Sequence, residues 1–241
     1  MILSHKHRFL YVGLPRAGST SLHRFFDRPQ WEIDPHWAKY QHAAEVPEGC
    51  ENYLRWTCVR NPYSRLVSLW QFSNVNLELV PHGRAITLPE YLNWISALPD
   101  DTPHCFWSWP MTRYLRWVLP VDRVLRLETL AHDIRSLAFV PPDAAVPHVN
   151  DFFHTHGGKS YGSMTDHVTP EIEAQIWEMF RADFEVFGYS RYAGLTAPAT
   201  PRGVSPLASV VQCLADLGEM QHAMARLHGS LAHVLAEMPR E

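Results

Sequence analysis

An α/β fold built on a mainly parallel sheet, with a C-terminal helical tail, is what this sequence predicts. Three observations carry the prediction. Short apolar runs rich in strand formers stand at Phe9–Gly13, Tyr53–Val59 and Val121–Leu127. Segments with helical apolar spacing follow the first two, and a further one begins at Pro170. Beyond a stretch rich in Ala, Thr, Pro and Gly, apolar residues recur at heptad spacing. Strands alternating with helices imply parallel pairing, because a parallel connection needs a crossover that a helix supplies.

Phe9–Gly13 (FLYVG) is apolar throughout, as a strand covered on both faces must be. A turn, Leu14–Gly18, follows it. Ser19–Phe26 then reads as a helix with Leu22, Phe25 and Phe26 on one face. Tyr53–Val59 is the second strand. Asn61 is a good N-cap, since its side-chain oxygen can accept from a free backbone N–H, and Pro62 fits the first helical position. Leu66, Val67, Leu69 and Trp70 give that helix its apolar face. Val121–Leu127 is the third strand. Pro170–Phe180 is an amphipathic helix with Ile172, Ile176, Met179 and Phe180 in register. The segment from Leu77 to Pro110 carries no signature.

The 241 residues, 46% of them hydrophobic, suit one domain and an appendage. The expected division is a domain over 1–192, a linker over 193–206 and a C-terminal helix over 207–241. Leu207, Val210, Leu214, Leu217, Met224, Leu231, Leu235 and Met238 mark its seam, interrupted by Gln221 and His228. Two readings stay open: a helix folded back on its own domain, or a coiled coil that makes a homodimer. A net charge of -4 argues against a nucleic-acid partner. Lys6, Lys39 and Lys159 are the only lysines; the other basic side chains are arginines, whose fork suits phosphate and sulfate. Cys50, Cys58, Cys105 and Cys213 lack metal-site spacing and read as reduced thiols. Met1–Arg8 reads as polar and basic. No apolar run spans a membrane and no signal peptide is evident, so the expected setting is cytoplasmic.

Gly13-Leu14-Pro15-Arg16-Ala17-Gly18-Ser19-Thr20 lies between a predicted strand and a predicted helix. Such a turn aims backbone N–H groups at an anion, and the helix dipole adds partial positive charge. The spacing nearly matches G-x-x-x-x-G-K-[ST], but Ser19 stands where a nucleoside-triphosphate enzyme needs lysine. Arg16 is the loop's only cation. The loop can hold a phosphate and is poorly made for ATP hydrolysis. The second strand ends in Arg60, where the comparable strand of such enzymes ends in a metal-organising acid. An arginine there prefers an anion. Ser68 can face the same anion only if its helix begins beside Arg60.

Pro15–Leu22 (PRAGSTSL) and Val59–Trp70 (VRNPYSRLVSLW) resemble the two signatures with which sulfotransferases bind 3′-phosphoadenosine 5′-phosphosulfate (PAPS), closest to the carbohydrate-type, family 2-like branch. Val121–Leu130, Pro147–Asn150 and His167–Tyr189 resemble further segments of that family, so the likeness covers about residues 8 to 190. The resemblance implies a P-loop-like parallel sheet flanked by helices. It implies transfer of a sulfuryl group from PAPS to a hydroxyl or amine, with a small-molecule or glycan acceptor, a carbohydrate-like one favoured, and no metal. By it, Arg16, Ala17, Gly18, Ser19, Thr20 and Ser21 take the 5′ side of the nucleotide. Arg60 and Ser68 take its 3′-phosphate. Arg16 replaces the family's commoner lysine, which keeps the charge and changes the geometry.

A nucleophile that loses a proton as it attacks needs a base near its working pKa. Among 15 histidines, His42 and then His36 lie between the signatures, where the resemblance places the base. Glu45 and Glu51 are carboxylate substitutes, better read as solvated. Lys159 and Tyr161 lie in a segment that the resemblance makes a closing loop over the nucleotide. Glu128 and Asp183 read as structural. Trp31, Trp37, Trp107 and Trp109 either shape an acceptor pocket or belong to the core. Two other functions fit the same loops: an ATP-dependent small-molecule kinase, and a non-catalytic nucleotide-binding module whose helical tail binds partners.

Overall fold

Four strands hydrogen-bond in the order β1-β2-β3-β4: β1 (Ile2–Ser4), β2 (Phe9–Val12), β3 (Leu54–Val59) and β4 (Arg123–Arg126). The computed structural model describes residues 1–36, 46–98, 108–115, 121–147 and 166–191. β2 pairs parallel with β3, Tyr11 opposite Trp56, and β3 pairs parallel with β4, Cys58 opposite Leu125. β1 pairs antiparallel with β2. The sheet is therefore mixed but mainly parallel.

β1 departs from the polar N-terminus read in the sequence. Met1, Ile2 and Leu3 are buried, and the basic run His5–Arg8 forms the turn into β2, with Arg8 in the left-handed region at φ 50°. An antiparallel neighbour needs only such a short turn, so three apolar residues suffice to cover the edge of β2.

Alternation along the strands sorts the helices onto two faces. Phe9 and Tyr11 of β2, Trp56 and Cys58 of β3 and Leu125 of β4 share one core with Leu22, Phe25 and Phe26 of α1 (Ser19–Phe26). The short helix α5 (Leu130–Asp133) closes the same side through Leu130. Val12 and Val59 point the other way, into a core shared with α2 (Pro62–Val75), α3 (Leu88–Ala97), α4 (Met111–Leu115) and α6 (Pro170–Phe187). The result is a four-stranded sheet flanked by helices.

Local signals explain the helix ends. Asn61 Oδ1 accepts from the Tyr63 N–H, with Pro62 at the first helical position, as the sequence predicts. α3 lies in the segment that showed no signature. Its start is a capping box in which Glu90 N–H donates to Thr87 Oγ1 and Thr87 N–H donates to Glu90 Oε2. α6 runs past its expected end at Phe180. The backbone there is non-helical (φ -118°, ψ 20°), yet the helix continues, with Phe184 and Phe187 buried in line with Ile176 and Phe180. Gly188, at φ 63°, ends the helix. β4 is shorter than Val121–Leu127, because Leu127 already belongs to a 3₁₀ turn. Among the described residues, no helix is long and apolar enough to cross a membrane. The expected linker and tail helix lie outside the described residues.

Candidate functional site

β2 and β3 are parallel neighbours, so both chains leave the sheet at the same end. The turn after β2 is held by Ala17 N–H donating to Leu14 O at 3.3 Å. It takes two left-handed residues, Arg16 at φ 61° and Gly18 at φ 89°. Gly18 is required twice over: by its φ, and because a Cβ would lie 2.6 Å from Leu127 Cδ1. As N-cap of α1 it supplies no side-chain acceptor. The first N–H groups of α1, from Ser19 to Ser21, thus have neither an intrahelical partner nor a cap. With the helix dipole behind them, they suit an anion. Ser19, Thr20 and Ser21 are half-buried there and Ala17 is buried.

The exit of β3 meets this turn directly. Arg60 donates through Nη1 to Arg16 O at 3.2 Å and through Nε to Ser64 Oγ at 2.9 Å. Arg16 donates through Nε to Ser68 Oγ at 3.0 Å, and its guanidinium carbon sits 4.9 Å from the centre of the Phe72 ring. Ser64, Ser68 and Phe72 lie four residues apart, so they form one face of α2, and that face receives the loop. Helix α2 does begin beside Arg60, the condition under which Ser68 can serve the same site. Two of Arg60's N–H groups are engaged as described; among the described residues no partner takes the others.

Charges of both signs meet at the exit of β3. Burial pulls the Arg60 pKa down, and Glu128 beside it works in the opposite sense. Glu128 accepts from Asn61 N–H at 2.7 Å and from the Tyr189 hydroxyl at 2.9 Å, so it also pins the start of α2 to the end of α6. Burial, and then Glu128, push the Tyr189 phenol up. Cys58, under Gly18, has its thiol pushed up by burial first and then by Glu128 and Asp133, which leaves it protonated and unsuited to attack. Arg16 and Arg60 meet at the strand exits.

Arg65 is the residue the sequence reading passed over. It is buried and donates through Nε to Pro15 O at 3.0 Å. Its signal was available: a charged residue beside Leu66 and Val67, on a helix side that has to enter the core. Asp183 reads as structural in the sequence and is so in the fold. It is buried and accepts from the N–H groups of Met111 (2.7 Å) and Thr112 (2.8 Å) and from Thr112 Oγ1 (2.8 Å).

Of the expected site residues, Arg16, Ala17, Gly18, Ser19, Thr20, Ser21, Arg60 and Ser68 come together at one end of the sheet. His36 is exposed outside the edge strand β1, where Ile33 bridges Ser4, and its N–H donates to Asp34 Oδ1 at 2.8 Å. Glu51 is exposed, and Trp31 belongs to the core. Half-buried Trp109 carries the Arg113 guanidinium over its ring at 4.0 Å. His42, Lys159, Glu45, Trp37, Trp107 and Tyr161 lie outside the described residues. No curated protein and no solved structure matches the chain. A family model described as Sulfotransferase family matches residues 1–190.

Proposed function

Because the chain belongs to the sulfotransferase family, we propose that it moves a sulfuryl group from PAPS to a hydroxyl or amine of a carbohydrate-like acceptor. One observation supports this reading above the rest. Arg60 grips the carbonyl of Arg16 while Arg16 reaches Ser68, so the two anion-seeking turns form a single site.

PAPS supplies an activated sulfuryl group: its bond from sulfur to the 5′-phosphate oxygen breaks as a bond to the acceptor forms. The chain's own part is to hold both ends of the nucleotide, screen charge and take a proton. In this reading the P-loop-like turn and the first N–H groups of α1 receive the 5′ side through Gly18, Ser19, Thr20 and Ser21. Arg60, with its remaining N–H groups, and the Ser68 hydroxyl receive the 3′-phosphate. Arg16 lies between the two and stabilises the charge that develops on the departing 5′-phosphate. His42 takes the acceptor proton, with His36 the second candidate, and Lys159 covers the nucleotide.

The test is transfer of label from PAPS to a panel of sugars, phenols, amines and peptides. His42→Ala is expected to abolish transfer while preserving binding of adenosine 3′,5′-bisphosphate. If His36→Ala abolishes it instead, the base is reassigned. Stronger thermal stabilisation by ATP with Mg²⁺ than by adenosine 3′,5′-bisphosphate would overturn the choice of donor.

A further inference from the structure

We propose that Arg65 is a positioning residue that sets the shape of the 5′ loop from beneath, an inference that rests on the nucleotide reading above. Two consecutive carbonyls of the loop are held from the α2 side. Pro15 O accepts from Arg65 Nε at 3.0 Å, and Arg16 O accepts from Arg60 Nη1 at 3.2 Å. A peptide unit is planar, so fixing its oxygen fixes the direction of the N–H that follows. The two arginines therefore fix the planes on either side of Arg16, the residue held at φ 61°. A non-glycine residue stays in that region only where its surroundings over-determine it, and these two bonds do so.

The two arginines differ in surroundings. Arg60 is half-buried and faces the site. Arg65 is 1% exposed and does not reach it. A guanidinium so deeply buried persists only with compensation. Asp183 on α6 supplies the opposite charge, which works against the fall that burial imposes on the Arg65 pKa. Asp183 is itself fastened to the start of α4 through Met111 and Thr112. Arg65 thus references the 5′ loop to a rigid frame made of α2, α4 and α6. The requirement is for arginine. Lysine can balance Asp183 as a point charge, but it lacks the planar fork that addresses Pro15 O from a fixed direction.

The experiment compares two probes, adenosine 3′,5′-bisphosphate and adenosine 3′-monophosphate, by titration calorimetry on the full chain. Melting temperature is followed in parallel. R65K is expected to melt near the wild type, to bind the 3′-monophosphate unchanged and to bind the bisphosphate about tenfold more weakly, because only the 5′ loop has lost its support. R65M/D183N carries the same test if R65K does not fold. It removes both buried charges together and keeps one of the two acceptor oxygens at the start of α4, with the same selective loss expected. A variant that binds both probes as the wild type does, or loses both in equal measure, overturns the proposal by making Arg65 a packing residue. Wild-type protein that binds neither probe removes the nucleotide reading itself, and this proposal with it.

Discussion

Arg16 Nε donates to Ser68 Oγ at 3.0 Å, although the two residues stand 52 positions apart in the chain. The contact carries a side chain of the first turn into the face of α2 that the second turn opens. Arg60 completes the junction from the other direction by holding the Arg16 carbonyl.

Arg60→Ala should weaken adenosine 3′,5′-bisphosphate by ~1.5–3 kcal/mol, the range for hydrogen bonds to a charged group. Titration calorimetry reads the change, and unaltered affinity refutes the assignment of Arg60 to the nucleotide.

Gly18→Ala should destabilise the fold by about 2 kcal/mol, because the new Cβ meets Leu127 Cδ1 at 2.6 Å in a backbone conformation that alanine disfavours. Chemical denaturation measures this. Wild-type stability would mean that the turn can relax without cost.

Glu128→Gln keeps oxygen and nitrogen where Asn61 and Tyr189 need partners and removes the carboxylate beside Arg60. Bisphosphate affinity is expected to rise by ~0.5–1 kcal/mol, the scale of a partly screened ion pair. A fall in affinity would show that Glu128 serves the site through geometry rather than charge.

Glu90 provides a pH test. Hydrogen bonds from the Thr87 backbone and then from its hydroxyl hold the carboxyl below its usual value of 4.5. A depressed folded pKa gives stability that is present above the unfolded value and lost as pH falls through the folded one. The melting temperature of the wild type should therefore drop toward that of Glu90→Gln as pH falls from 6 to below 4.5. A gap between the two proteins that stays constant over this range would remove the capping role.

Much of this architecture was legible in the residues. The runs of Phe9–Val12 and Leu54–Val59 announced themselves because strands covered on both faces admit few polar groups. Asn61 and Pro62 marked the start of α2 through local chemistry alone. The two turns stood out because glycine, arginine and hydroxyl residues were packed between a strand and a helix. What stayed hidden depends on tertiary context. Three apolar residues at Met1–Leu3 are too few to reveal a strand without the neighbour they cover. The TLPE start of α3 was present but lay in a stretch with no functional motif to draw notice. Arg65 stood beside Leu66 and Val67 on a side bound for the core, but what it holds, the Pro15 carbonyl fifty positions earlier, could be seen only in the fold. The base assignment to His42 remains a matter of resemblance, since that residue lies outside the described ones.

The adjacency of β2 and β3 makes the sheet a ruler. Parallel neighbours lie about 4.8 Å apart, and each launches one anion-seeking turn from the same end of the sheet. A ligand that divides its negative charge between two corners of a ribose can answer both turns at once. A linear triphosphate strings its charge outward from a single corner and leaves one turn unanswered. If the chain takes PAPS as proposed, strand spacing, set by backbone hydrogen bonds far from any reacting atom, sorts nucleotides by the geometry of their charges.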